Sequence, residues 1–202
     1  MIKTSAIRAS FVAGLLSLSC SVALAQARTP PADPTMKLQG LDGKVYDLAE
    51  LRGSVVLVSF GATWCGPCST ELRALEELLA EYRDKPVKFF WVSIERPEEI
   101  NNARLRQYAK ERGLTFPVLR DTGKMVFFQF ADRVRLPMLL LLNKSGRIDA
   151  QATFGMKSRP EDYKAEVRAR LNKLLTVAST DAEKHQAART RDLVATSQRV
   201  NQ

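Results

Sequence analysis

Three short apolar runs do most to restrict what this chain can fold into. They are "SVVLVSF" at Ser54–Phe60, "VKFFWVSI" at Val87–Ile94 and "LPMLLLLN" at Leu136–Asn143. None alternates cleanly between apolar and polar residues, so each reads as a strand covered on both faces. Such strands need a layer packed against each side, which places the chain in the α/β class. A helical stretch to about Tyr82 separates the first two runs. Between the second and third, Glu98–Arg112 reads as a helix stopped by Gly113, and "FPVLRDTGKMVFFQFA" offers a short strand or loop followed by a short apolar helix. Strand–helix–strand order implies parallel neighbours. A turn at Asn143–Gly146 followed by "RIDAQATF" implies an antiparallel return. Asp42-Gly43 between Leu38–Leu41 and Val45–Leu48 reads as a hairpin ahead of the first buried strand. Pro160–Leu175 closes the order as an amphipathic helix with Val167, Leu171, Leu174 and Leu175 on one face. The expected architecture is a mixed central sheet with helices on both faces and an N-terminal β-hairpin.

The chain has 202 residues, enough for one such domain plus tails. Residues 1–25 read as a secretory signal peptide. Lys3 and Arg8 precede an uncharged run from Ala9 to Ala25, which ends in the small-x-small pattern Ala23-Leu24-Ala25. Ser17, Ser19, Cys20 and Ser21 interrupt that run, which is short for a membrane span. A lipid-attachment site at Cys20 would want an apolar residue three positions earlier, where Ser17 stands. Cleavage after Ala25 is therefore the expectation over an uncleaved anchor or a lipoprotein. Residues 26–35, with Pro30, Pro31 and Pro34, read as a linker, 36–175 as the folded domain and 176–202 as a polar tail. His185, the chain's one histidine, falls in the tail, where a solvated side chain is the expected state. Residues 1–25 hold two basic residues and no acid, so their removal takes the net charge from +9 to +7. No Lys/Arg block interleaves with aromatics, which argues against nucleic-acid binding.

Once residues 1–25 are removed, two cysteines remain, Cys65 and Cys68, in "GATWCGPCSTE". An exported chain meets an oxidising compartment. A bond between these two would close a tiny loop and restrain little of the chain, so it makes a poor staple. A closed zinc site wants about four nitrogen or sulfur ligands, which one pair and a remote histidine do not supply. A two-thiolate Cu(I) site needs only the pair, and that alternative stays open. Dithiol chemistry fits the local setting better. The pair follows a buried strand and opens a helix, where backbone N–H groups favour a thiolate on Cys65. Pro67 suits the first helical turn, where its missing N–H costs no bond.

On a helical wheel at about 100° per residue, Leu72, Leu75, Leu78, Leu79 and Tyr82 share one arc centred near Cys68. Glu71 falls inside the arc, whereas Arg73, Glu76, Glu77, Glu81 and Arg83 fall outside. Burial would raise its pKa and suit it to accept the proton of Cys68. The competing reading is an acid at a helix start, facing water and favoured by the dipole.

"VVLVSFGATWCGPCSTELRAL" resembles the thioredoxin superfamily, and most of all the TlpA/ResA-like periplasmic thiol–disulfide oxidoreductases. "LQGLDGKVYDLAELRGSVVLV", "TFPVLRDTGKM", "RLPMLLLLNKSGRI" and the closing helix match that group's order over about Met36–Leu175. The resemblance implies a thioredoxin-like fold, with Cys65 as nucleophile, Cys68 as resolving cysteine and Glu71 as the acidic residue three positions after it. Trp64 would pack beside the pair, with Gly66 and Pro67 between the cysteines facing the substrate. Pro137 would be a cis-proline facing the disulfide, and Leu136 would offer backbone hydrogen bonds to a bound peptide. An X–Pro bond is ordinarily trans, so the cis expectation comes from the resemblance alone. Cytoplasmic-type thioredoxins carry a buried aspartate six residues before the first cysteine; Ser59 stands there here. Two further departures are Gly61, where a tryptophan is usual, and Met138, where a threonine is usual. Gly61 is expected to open space near the site, and both are expected to alter substrate fit. The resemblance also implies a periplasmic reductant, with no cofactor beyond the Cys65–Cys68 disulfide and no metal. Its partners would be oxidised substrate proteins, apocytochrome c among them, and a membrane thiol-electron donor, with the chain itself a monomer.

Overall fold

The computed structural model describes residues 34–176. The expected signal peptide, Cys20, His185 and nearly all of the linker and tail lie outside the described residues. At the end of the expected linker, Pro34 is already buried, and the exposed Thr35 exchanges hydrogen bonds with the Gln129 side chain.

The strands are β1 (Lys37–Gly40), β2 (Val45–Asp47), β3 (Val55–Gly61), β4 (Val87–Ser93), β5 (Val118–Arg120), β6 (Met138–Leu142) and β7 (Thr153–Phe154). They form one sheet in the order β2-β1-β5-β4-β3-β6-β7. The three central pairings follow the expected logic. β3, β4 and β5 are parallel neighbours, and β6 returns antiparallel to β3. Every residue of β3 and β6 is buried, as their unbroken apolar sequences require. The hairpin turns at Gly43, whose φ of 84° suits glycine. It joins the sheet through β1, which pairs antiparallel with β5.

Two elements are shorter than their sequences suggest. α2 (Asn102–Glu111) starts four residues after the expected Glu98, because Asn101 accepts a hydrogen bond from Arg104 N and caps the helix there. Upstream, the Glu99 side chain is engaged by Arg96 N. The expected fourth strand survives only as β7 and an isolated bridge between Leu142 and Ile148.

Both faces of the sheet carry helices, unequally. α1 (Gly66–Glu81), α2 and α3 (160–176) all pack on one face, over Val55, Leu57, Phe89 and Trp91. Burial of Leu72, Leu75 and Leu78 on α1 contributes about 1.5–3 kcal/mol each. The opposite face is covered by two short 3-10 turns, Leu48–Leu51 and Phe127–Gln129, with Phe60, Phe90, Phe127 and Met138 in its core. The parallel strands thus end together, and residues that follow or precede those ends meet at one edge.

Candidate functional site

Cys65 caps the N-terminus of α1 with extended backbone dihedrals, φ −85° and ψ 102°. Its Sγ accepts a hydrogen bond from the Cys68 backbone N–H at 3.2 Å, one of the donors a helix start leaves without an intrahelical acceptor. Pro67 lies in the first turn, as expected. Cys65 and Cys68 are joined in a disulfide, with their Cα atoms 5.3 Å apart. The two sulfur residues differ in access: Cys65 is 6% exposed and Cys68 is 0% exposed. Trp64 projects into solvent, 64% exposed, and Gly66 and Pro67 are exposed beside it. Leu136 packs against Ala62, Cys65 and Cys68. The Leu136–Pro137 peptide bond is cis, as the resemblance implied and the X–Pro base preference alone did not. All eight residues singled out by sequence therefore lie on or beside the start of α1.

Glu71 faces the core, and the water-facing reading is set aside: the residue is 0% exposed. Its carboxyl accepts two hydrogen bonds, from Ser59 Oγ to Oε2 at 2.6 Å and from the Tyr163 hydroxyl to Oε1 at 2.5 Å. Burial raises its pKa from 4.5 to about 7, and the two hydroxyl donors pull against that rise. The same burial, with Glu71 beside it, holds the Tyr163 hydroxyl well above its ordinary range. Ser59, where cytoplasmic-type thioredoxins carry an aspartate, thus donates to the carboxyl that α1 brings to it.

The expected space beside Gly61 is filled. Trp91, from the neighbouring strand β4, lies against it: a Cβ on Gly61 would come within 2.5 Å of Trp91 Nε1. Met138 lies inside the fold. Strand alternation sends its fully buried side chain into the core with Phe60 and Phe127, across the sheet from α1.

Glu95, Tyr163 and Trp91 are the neighbours that sequence reasoning missed. Glu95 is buried just beyond β4. It accepts hydrogen bonds from Thr63 N at 2.9 Å, Thr63 Oγ1 at 2.6 Å and Ser93 Oγ at 3.1 Å, and so braces the loop that leads into Cys65. Little local marks it, because two of its three hydrogen bonds come from Thr63, 32 residues earlier. Tyr163 did carry a signal: it stands four residues before Val167 on the apolar face of α3.

Comparison with known proteins fits this geometry. The chain superposes on a thiol:disulfide interchange protein of the thioredoxin family from Chlorobium tepidum TLS with a TM-score of 0.60 at 22% identity, covering 73% of this chain and 97% of the other. It also superposes on the exposed lipoprotein thioredoxin Etrx1 of Streptococcus pneumoniae with a TM-score of 0.56 at 26% identity, covering 69% and 99%. The fold is thioredoxin-like. A family model for Redoxin matches residues 28–167, and the chain belongs to that family. Among curated relatives, it is 33% identical over 119 residues to the thiol-disulfide oxidoreductase ResA of Halalkalibacterium halodurans, covering 59% of this chain and 65% of that protein's length.

Proposed function

We propose that this chain is an exported thiol–disulfide oxidoreductase that reduces protein disulfides by dithiol exchange. The observation that carries the reading is the asymmetry of the pair: an outer sulfur with a backbone donor, and an inner one with a buried carboxyl a turn along the helix. Cys65 thiolate attacks one sulfur of a substrate disulfide, forming a mixed disulfide and releasing a substrate thiolate. Glu71 takes the proton of Cys68. The Cys68 thiolate then attacks Cys65 Sγ, forming the Cys65–Cys68 bond and breaking the bond to substrate. The substrate gains two electrons and the chain loses two. Trp64, Gly66, Pro67 and the backbone at Leu136 and Pro137 supply the surface against which the peptide lies. The likeness to ResA supports the reaction class, and Gly-Pro between the cysteines supports the reducing direction. A membrane thiol-electron donor would restore the dithiol in the periplasm, and apocytochrome c would be among the substrates.

The test is a trap. Cys68→Ser, expressed with residues 1–25, is expected to hold partners as mixed disulfides on Cys65, which mass spectrometry would name. Absence of mixed disulfides, together with tight anaerobic Cu(I) binding by the wild-type pair, would replace this reading with a copper-binding one.

A further inference from the structure

We propose that the indole N–H of Trp91 is reserved for the sulfur of Cys68 in the reduced protein, where it holds the thiolate that completes the exchange. The inference rests on the reading of Cys68 as the resolving cysteine.

Trp91 is fully buried, and its Nε1–H has no acceptor while the disulfide is formed. Folded proteins seldom leave a buried donor unpaired, because its lost hydration is not returned. The place of this donor supplies a reason. The position that a Cβ on Gly61 would take is 2.5 Å from Trp91 Nε1 and 3.4 Å from Cys68 Cβ. The sum of those two distances is the most that can separate the indole nitrogen from Cys68 Cβ, and Sγ is one bond from that Cβ. Gly61 carries no side chain there, and a Cβ at 61 would press against both Trp91 Nε1 and Cys68 Cβ.

The ring is also held in place. Trp91 stacks on Tyr108 with centroids 5.5 Å apart and planes 19° from parallel. The Arg112 guanidinium sits 3.5 Å from the centroid of the Tyr108 ring. Arg112 Nε donates to Ser69 Oγ at 3.0 Å, and Ser69 is the residue after Cys68 on α1. The stack is thus tied back to the helix that carries the sulfur.

A disulfide sulfur is a weak acceptor, and a thiolate accepts a charge-assisted bond. When Glu71 takes the Cys68 proton, the thiolate meets the indole N–H. When Cys68 attacks Cys65 and the substrate thiolate leaves, the N–H is released again. Each sulfur then has its own donor: the Cys68 backbone N–H for Cys65, and Trp91 for Cys68.

Trp91→Phe keeps an aromatic ring in the stack and removes only the donor. In single-turnover exchange we expect formation of the mixed disulfide on Cys65 at the wild-type rate, and its resolution roughly tenfold slower or more. The second readout needs no Trp91 variant. The chain has two tryptophans, so Trp64→Phe assigns the indole 1H–15N signal of Trp91. On reduction of the full chain that signal is expected to move downfield, and Cys68→Ala is expected to lack the downfield position. An indole signal unmoved by reduction, a downfield shift that persists in Cys68→Ala, or wild-type resolution in Trp91→Phe would each overturn the inference. Failure of wild-type Cys65 to form any mixed disulfide would instead overturn the function on which it rests.

Discussion

Two carboxyls are buried near the start of α1, and they are unlike. Glu95 hangs from the end of β4 and accepts three hydrogen bonds, two from Thr63 and one from Ser93. One donor is a backbone N–H two residues before Cys65, so Glu95 fixes the path of the loop. Glu71 sits on the helix, accepts from two hydroxyls only, and lies one turn beyond the inner sulfur. Burial raises it to about 7. What separates the two is geometry: Glu95 is committed to the loop, whereas Glu71 is set behind the inner sulfur.

The largest effect on stability is expected from Glu95→Ala. It leaves Thr63 N–H and two hydroxyls without their acceptor, at a cost of about 3–4 kcal/mol. Urea unfolding measures this. Loss of less than about 1 kcal/mol would show that the loop does not depend on Glu95.

Glu71→Gln should act through pH instead. The folded-state pKa of Glu71 is raised, so the folded protein holds a proton that the unfolded chain releases near 4.5. Stability from this source is complete below about 4.5 and is lost as pH rises through about 7, a total of about 3 kcal/mol. The wild type should lose stability relative to Glu71→Gln over that window, read as the difference between their urea midpoints at pH 4.5 and 8. Parallel midpoints would mean that the carboxyl is not held neutral.

Tyr163→Phe should give a smaller change in the same system. The Tyr163 hydroxyl lowers the pKa of Glu71, so its removal should push that pKa further up, at about 1 kcal/mol. Carbonyl-region NMR or infrared titration of the labelled glutamate would read it. A downward shift would break the assignment of that hydrogen bond.

The parts of this arrangement that sequence made legible are local. Unbroken apolar runs marked β3, β4 and β6, and helical periodicity put Glu71 on the core face with Cys68. The parts that sequence hid depend on distant partners. Tyr163 meets Glu71 across 92 residues, and Thr63 meets Glu95 across 32. The filling of Gly61 by Trp91 was misread for the same reason. A glycine reports missing volume at its own position, and here the neighbouring strand supplies that volume. The fourth strand was overdrawn because the turn at Asn143–Gly146 forms, whereas the segment beyond it keeps only a bridge at Ile148 before β7.

The most direct test of the central claim is the pH dependence of a single step. Resolution of a mixed disulfide preformed on Cys65 should be followed in the wild type and in Glu71→Gln. With Glu71 as the proton acceptor, the wild-type rate rises with pH through about 7, and that rise is absent in Glu71→Gln. Superimposable profiles for the two proteins would contradict the account.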